Sequence, residues 1–588
     1  MLFKRFRIIK TARTPPGWLT SLFWSITALV GINVIFIVLT NGYHLTFPPW
    51  AKLILRLSLI TAGLGTIAEI FTKRLVTPAL PLSRFRQIFD LAIAIILIPA
   101  VVFQRMLILI LVLYQVINLT GLSRSRFLPA VLGNIRQRPV RMLVISFLTL
   151  IAAGTLLLTF PAATTDGRGA DILTALFTAT SATCVTGLIV RDTGTYFSHF
   201  GQLVILTLIQ LGGLGIMTFY TSIVVLLGQR MGLQERRTMQ EIIEETRDID
   251  IARMVRYVLL FTLTAEGIGM VILFLRWLFV LGSPGQALYF AAFHSISAFC
   301  NAGFSLFPDS FIRFQSDLCI NLCIITLIVL GGLGFPVVNE IINRQNLLRF
   351  PRNFRQLSTN NSPRQLRLTL HSRIVLITTA FLITGGTILF FFLEYDNTLH
   401  NLPLSTKLLA SLFQSVTART AGFNTVGLSN LHGVTIFLWA ILMFIGASPG
   451  GTGGGVKTST IAVLFLAIRS RIRGEEEIVY FRRTIPKDVV YRAMAIIALS
   501  LGIIALTYAG LLFLENQRFE SLLFEAISAF GTVGLSIGIT PELNIIGKLL
   551  IIILMFIGRT GPLTLTLAMS AANKHSMITY PTARIIVG

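Results

Sequence analysis

The sequence predicts an all-α polytopic membrane protein: four tandem helix–pore-loop–helix repeats around a central pore, preceded by an extra N-terminal transmembrane region. Three observations predict it. The 588 residues are 54% hydrophobic and 13% charged, with a mean hydropathy of +0.78, more apolar surface than a water-soluble chain of this size can bury. Apolar runs of about 20 residues, long enough to cross a hydrocarbon core, recur along the chain. Four similar segments, each an aromatic residue, small polar residues, then a glycine followed by a bulky apolar residue, mark an internal repeat.

The four segments read Phe177-TATSATCVT-Gly187-Leu188, Phe293-HSISAFCNA-Gly303-Phe304, Phe413-QSVTARTA-Gly422-Phe423 and Phe524-EAISAFGTV-Gly534-Leu535. Their glycines lie 116, 119 and 112 residues apart. Each unit opens with a long apolar run near Arg141, Arg256, Arg373 or Arg492. A short amphipathic stretch of about ten residues, too short to span a bilayer, then leads to the glycine. A second run follows from about His199, Ile320, Val434 or Ile545. The division is therefore residues 139–235, 236–350, 351–475 and 476–588 for the repeats, the last with a C-terminal tail, after an extra region at 1–138.

Charge placement orients these runs. The net charge is +24, but the arginines gather in polar linkers between apolar runs: Arg230 to Arg256, Arg344 to Arg373, and Arg469 to Arg492. The alternate loops carry acids such as Asp166, Asp171, Asp192, Asp309 and Asp396. By the positive-inside rule the linkers and the C-terminus are cytoplasmic, in a multi-pass protein of the plasma or inner membrane. That pattern excludes nucleic acid as a partner and makes anionic lipid headgroups one. Cys319 and Cys323, four residues apart on a helix, are expected to pack in the core. The seven histidines are scattered, no catalytic or metal-ligand spacing appears, and the chain reads as no enzyme.

Irregular backbone at membrane depth survives only where it lines water or is buried in protein. Four such segments around one pseudo-fourfold axis line a single pore. Helices running inward from the outer face aim their partly negative C-terminal ends at a cation. Glycine can turn a carbonyl toward the axis at angles that β-branched residues resist, and rings of carbonyls can replace an ion's hydration shell. Thr183, Thr186, Ser297, Thr417, Thr420, Ser528 and Thr532 are candidates to add hydroxyls or brace the loops.

Each second run is interrupted after its glycine, at Gly212, at Gly331 to Pro336, at Gly446 to Lys457 and at Gly558 to Pro562. For the first two, close helix packing and a helix break are both open. The third has too little side chain to stay helical and is expected to be an intramembrane loop beside the pore. Its run Gly450 to Thr458 superficially resembles a phosphate-binding loop, but Val456 separates the last glycine from Lys457 and the flanks are apolar, so it is not read as a nucleotide site. Arg559 lies at mid-helix depth, where a charge faces a wet cavity or a partner.

SATCVTGL, SAFCNAGFSLF, TARTAGFNT and SAFGTVGLS resemble the four filter sequences of the Ktr/Trk/HKT superfamily of potassium transporters, closest to the membrane subunit of the bacterial Ktr type. The resemblance covers roughly residues 140 to 588. It implies a potassium filter at Cys184, Val185, Thr186 and Gly187; Cys300, Asn301, Ala302 and Gly303; Thr420, Ala421 and Gly422; and Thr532, Val533 and Gly534. It also implies a gate at Gly446, Gly450, Gly451, Gly453, Gly454, Gly455 and Lys457; IGRTGPLTL resembles the Ktr pattern too, and the depth of Arg559 makes it a candidate positive barrier below the filter, cooperating with that loop, with a structural ion pair the alternative. Cys184, where the family usually has threonine, and Arg191, where it has an uncharged residue, depart from the pattern. The resemblance further implies potassium as the transported ion, a homodimer, and a cytoplasmic ring of nucleotide-binding (RCK-type) regulatory subunits as the only route for nucleotide. Sodium activation is left open.

The extension has apolar runs near 18–40, 51–71 and 87–118 between basic ends, so its crossings are even in number: four helices, or two plus an interfacial segment. Its first run has no small-residue cleavage site after it and reads as a retained helix. Two rival functions stand beside the pore reading: an ion-coupled sodium/potassium or proton/potassium secondary transporter, and a non-conducting membrane scaffold. Inverted repeats would serve the first, but all four units begin at a basic end.

Overall fold

The computed structural model describes residues 139–215, 251–349 and 368–562, together with positions 25, 61 and 564. The expected helices of the N-terminal extension, most of the first two arginine clusters and the C-terminal tail lie outside the described residues. Within them the chain is helical, and one succession of a long helix, a short helix, a glycine segment and a second long helix occurs four times. The first unit holds α1 (Pro139–Leu158), α2 (Ile172–Thr183), the single turn α3 (Thr193–Tyr196) and α4 (His199–Leu214). The second holds α5 (Ile251–Leu281), α6 (Pro284–Phe299), α7 (Leu318–Gly332) and α8 (Phe335–Arg349). The third holds α9 (Leu370–Leu393), α10 (Leu404–Thr417), α11 (Gly433–Phe444) and α12 (Thr458–Ile472). The fourth holds α13 (Lys487–Leu514), α14 (Phe519–Gly531) and α15 (Ile545–Thr560).

Short polar residues set where these helices begin. Asp171, Ser198, Asp317, Thr369 and Asn544 each accept a hydrogen bond from a backbone N–H three residues on, satisfying a donor that the first turn leaves free. Among the described residues three helices are long and apolar enough to cross a membrane: Tyr257–Leu281, Leu370–Leu393 and Lys487–Leu514. The pair α7 and α8 passes the same test together, bent by 103° at Leu333–Gly334. That settles one open alternative: the second interruption is a break.

Burial is inverted relative to a soluble protein. Phe279, Phe381, Leu506 and Phe513 are at least 73% exposed on the long helices, a surface that only lipid can solvate. The four aromatic residues of the repeated motif, Phe177, Phe293, Phe413 and Phe524, are buried at the centre. Sequential packing of α1 on α2, α5 on α6 and α9 on α10 builds each unit, and α15 packs back on α2. The fourth unit therefore closes on the first, which is what places the four glycine segments around one axis.

Two expectations need correction. The described chain is not wholly α: Ile478–Tyr480 (β1) pairs antiparallel with Arg483–Ile485 (β2) between α12 and α13. Its two turn residues, Phe481 and Arg482, have φ of 49° and 60°, the conformation a two-residue hairpin demands. Without the usual glycine there the sequence gives little turn signal. Cys319 does not pack in the core; it is exposed on the apolar exterior, while Cys323 is half-buried with its sulfur 3.8 Å from the Gly269 carbonyl.

Candidate ion-conduction site

The short helices α2, α6, α10 and α14 all end at the centre. Beyond each, the two residues with left-handed backbone are the glycine and the residue two before it. The pairs are Val185 (φ 58°) and Gly187 (93°), Asn301 (60°) and Gly303 (71°), Thr420 (71°) and Gly422 (79°), and Thr532 (49°) and Gly534 (88°). A regular strand alternates its groups between two faces; a left-handed residue at every second position turns successive carbonyls to one side. Three of these four non-glycine residues are β-branched and resist these angles. The strain, about 1–3 kcal/mol at each site, is held by the surrounding bonds.

Those bonds repeat with the fold. The N–H of the residue before each glycine donates to a carbonyl in the last turn of the short helix: Thr186 to Ser181 at 2.8 Å, Ala302 to Ser297 at 2.8 Å, Ala421 to Thr417 at 3.0 Å, and Val533 to Ser528 at 2.9 Å. Hydroxyls reinforce three of the four. Ser297 donates to the Phe304 carbonyl at 2.8 Å and Thr417 to that of Phe423 at 2.6 Å, while Ser181 accepts from the Gly187 N–H at 3.1 Å. Ser297 and Thr417 thus brace the loops as expected. Thr183, Thr186 and Ser528 have hydroxyls without a partner, so bracing is not their role. Ser181 was not among the expected residues, although it stands six before Gly187 as Ser297 does before Gly303.

The glycines themselves form a closed ring. A Cβ placed on Gly187 would strike the Ala302 carbonyl oxygen, one on Gly303 that of Ala421 at 2.8 Å, one on Gly422 that of Val533 at 2.5 Å, and one on Gly534 that of Thr186. Each unit therefore touches the next in chain order and the fourth touches the first. Above the ring opens a cavity of about 280 Å³, lined by the four glycines and by Ser305, Asn424 and Ser536. Asp192, also on its wall, accepts from Thr195 N at 2.8 Å and Oγ1 at 2.7 Å as the cap of α3. The two departures are placed plainly. Cys184 is buried in apolar packing with Phe177 and Leu188, and Arg191 lies over the Tyr196 ring at 5.7 Å.

Below the ring runs the loop between α11 and α12. It leaves the helix beside a parallel bridge of Ile445 with Val456, with Gly446 N–H bonded to the Val456 carbonyl at 2.8 Å. Ser448 and Thr452 N–H groups donate to the Gly332 and Gly331 carbonyls, both at 3.0 Å, and Gly450 accepts from Phe335 N–H at 3.1 Å. Gly451 N–H closes a turn on Ser448, and Gly455 N–H reaches the Gly558 carbonyl at 3.3 Å. The loop presses against the ring's base: a Cβ on Gly453 would strike the Thr420 hydroxyl, and Gly454 N–H donates to the Thr532 hydroxyl at 2.9 Å. Thr420 in turn hydrogen-bonds the Asn301 amide at 3.2 Å. Lys457 Nζ donates to the Gly453 carbonyl at 2.8 Å.

Arg559, on α15, reaches across this space. Its guanidinium donates to the backbone carbonyls of Thr452 in the loop and of Gly212 and Gly213 at the end of α4. The expected alternative of an ion pair does not arise among the described residues; the partners are neutral carbonyls from the third and first units. Close packing accounts for the remaining glycines. A Cβ on Gly212, Gly331 or Gly558 would strike the carbonyl of Thr183, Phe299 or Phe530, the residue four before each ring glycine.

Two further polar positions escaped sequence reading. The residue directly after the motif's aromatic is Thr178, His294, Gln414 or Glu525, at most 2% exposed in every unit. His294 bonds Ser305 Oγ at 3.1 Å and accepts from Leu306 N–H at 3.2 Å, and Glu525 accepts from the Thr540 hydroxyl. Both tie a short helix to the segment beyond its glycine. The shared offset from the aromatic was a usable signal. Glu266 of α5, bonded to Gln210 Nε2 at 3.3 Å beside Cys300, had none.

This architecture has counterparts. Residues 136–578 match the family described as TrkH, cation transport protein. The chain is 40% identical over 456 residues to the Ktr system potassium uptake protein B of Bacillus subtilis, spanning 77% of this chain and 98% of that one. It is 34% identical over 460 residues to the potassium/sodium uptake protein NtpJ of Enterococcus hirae, spanning 77% and 98%. Among solved structures, the potassium transporter TrkH of Vibrio parahaemolyticus shares the fold at a TM-score of 0.59 and 18% identity, over 88% of this chain and 97% of that one. The family match over residues 136–578 and the near-complete coverage of these relatives agree: the chain belongs to the TrkH family of cation transport proteins.

Proposed function

We propose that this chain is the pore-forming subunit of a potassium uptake system. The observation that carries the reading is the closed ring of Gly187, Gly303, Gly422 and Gly534, each with a left-handed residue two positions before it. Four backbone segments so wound can present carbonyls to one ion, the chemistry that strips and replaces a potassium hydration shell. The short helices end at the ring and add the negative ends of their dipoles. Cys184 to Gly187, Cys300 to Gly303, Thr420 to Gly422 and Thr532 to Gly534 are the filter; Gly446 to Gly455, Lys457 and Arg559 are the gate.

In the closed state the loop fills the path beneath the filter, and conduction requires it to leave. Arg559 ties the loop at the Thr452 carbonyl to α4 at the Gly212 and Gly213 carbonyls and puts a fixed positive charge in the path. The repeats take the boundaries 139–235, 236–350, 351–475 and 476–588. Two copies assemble side by side in the plasma or inner membrane, with the arginine linkers in the cytoplasm facing lipid headgroups and a nucleotide-binding regulatory ring. Both Ktr and NtpJ relatives are named for potassium uptake, and the latter also for sodium. A single ring closed by all four units favours a pore over alternating access by inverted halves.

Rubidium uptake into vesicles of the purified chain tests this. Uptake that external potassium suppresses and sodium does not is expected, rising when the regulatory ring and nucleotide are added. Absence of uptake even with the ring and nucleotide would overturn the reading.

A further inference from the structure

The third unit carries a buried cation that the pore does not use. Arg419 stands three residues before Gly422, just past the end of α10, and is 8% exposed. Its Nε is buried without a hydrogen-bond partner, and no carboxylate pairs with it among the described residues. The side chain lines a small cavity between the second and third units, with Val329 and Gly332 of α7, Thr379 and Ile383 of α9, and Val416. Thr379 is 6% exposed, and its hydroxyl is likewise without a partner.

These groups restrict what can occupy the cavity. A guanidinium has five donors and no acceptor and keeps its charge at any physiological pH. An occupant must therefore accept hydrogen bonds, and a cation is repelled. Water could meet the donors but would leave the charge balanced only by the negative end of α10, in apolar surroundings where a buried ion is costly. The cavity measures about 10 Å³, room for one particle near the size of water. A lipid phosphate or a carboxylate does not fit. A halide, larger than water, requires an outward shift of Val329 and Ile383, both half-buried at the cavity wall.

We infer that this cavity binds a small monovalent anion of the chloride class, held by the Arg419 guanidinium and the Thr379 hydroxyl. The bound anion cancels a positive charge that otherwise stands directly behind the third glycine segment. With that segment acting as the cation filter proposed above, anion and potassium strengthen each other's binding by reciprocal linkage.

The test is thermal unfolding of the purified full chain at fixed potassium and ionic strength, in chloride, bromide or gluconate, the last too large for the cavity. An anion bound only by the folded state raises the unfolding midpoint. The expected result is a saturable rise in chloride and bromide over gluconate, abolished by Arg419→Gln and weakened by Thr379→Val. Should Arg419→Gln not fold, the Thr379→Val titration and bromide anomalous scattering at the cavity carry the test. Equal midpoints in chloride and gluconate for the unmodified chain would overturn the proposal, as would a chloride response unchanged in both variants. None of these readouts uses ion flux, so a chain that fails to conduct rubidium yet keeps the chloride response would sink the pore reading and leave the anion site standing.

Discussion

The two halves of the central path are built on different plans. The outer half uses all four units alike: one backbone hydrogen bond, one left-handed residue and one glycine contact recur in each. The inner half does not. In the first, second and fourth units the glycine of the second long helix packs on a carbonyl at the end of the short helix, whereas Gly446 of the third packs on its own loop at Gly454. An ion surrounded by carbonyls needs every side to contribute equally, whereas closing a path needs one obstacle. The lesson is that fourfold sequence repetition marks the symmetric ring, and its single violation marks the loop proposed to move.

The largest effect is expected on the inner side. Removing Thr452 to Gly454 deletes the part of the loop that touches Thr420 and Thr532 while sparing the ring. Resting rubidium flux is expected to rise by well over about tenfold, the equivalent of more than one barrier decade, with rubidium still preferred to sodium. A flux increase accompanied by lost selectivity would show that the halves are not separable.

Arg559 offers a sharper cut. Arg559→Ala removes the bond that holds the loop at Thr452, worth about 1.5–3 kcal/mol as a hydrogen bond to a charged group, so flux faster by about tenfold and an altered voltage dependence are expected. Arg559→Lys keeps the charge but cannot fork to two carbonyls. It should fall between the two, and voltage-clamp records of all three separate the bond from the charge.

On the outer side, Ser297→Ala removes a hydroxyl that donates to the Phe304 carbonyl, at a cost of about 1 kcal/mol. A rubidium-to-sodium flux ratio lowered a few-fold, with resting flux unchanged, is the expected outcome. The matching change Ser528→Ala, where the hydroxyl has no partner, should leave the ratio as it is.

The smallest effect lies outside the path. Asp171 caps α2, and although partial burial raises its carboxyl, the hydrogen bonds from Thr174 outweigh that and hold it below its usual value. A depressed acid stabilises the fold above its unfolded-state pKa and loses that contribution as pH falls through the lower folded value. Asp171→Ala should cost about 1 kcal/mol at neutral pH, read as a lower unfolding midpoint, and little in strong acid.

Much of this was legible in the sequence. The starts of the first helices were placed near Arg141, Arg256, Arg373 and Arg492, and those of the second near His199, Ile320, Val434 and Ile545; the observed helices begin within a few residues of each. Periodicity and glycine spacing are local signals, so they survive without coordinates. What could not be read depends on contact between units. Val185, Thr420 and Thr532 adopt angles their own chemistry disfavours because neighbouring segments hold them there. The carbonyl partners of Arg559 come from residues more than 100 positions away, and backbone acceptors carry no sequence signature. The hairpin at 478–485 was missed because its left-handed turn uses phenylalanine and arginine.

The most direct test of the central claim is the rubidium-to-sodium flux ratio of Gly303→Ser in vesicles beside the unmodified chain. A side chain at 303 strikes the Ala421 carbonyl and Gly422 of the next unit. The expected result is that the unmodified chain passes rubidium and excludes sodium, and that the variant admits sodium with rubidium flux retained or reduced. An unchanged ratio in a folded variant would contradict it, because the ring would then not be where the ion is chosen.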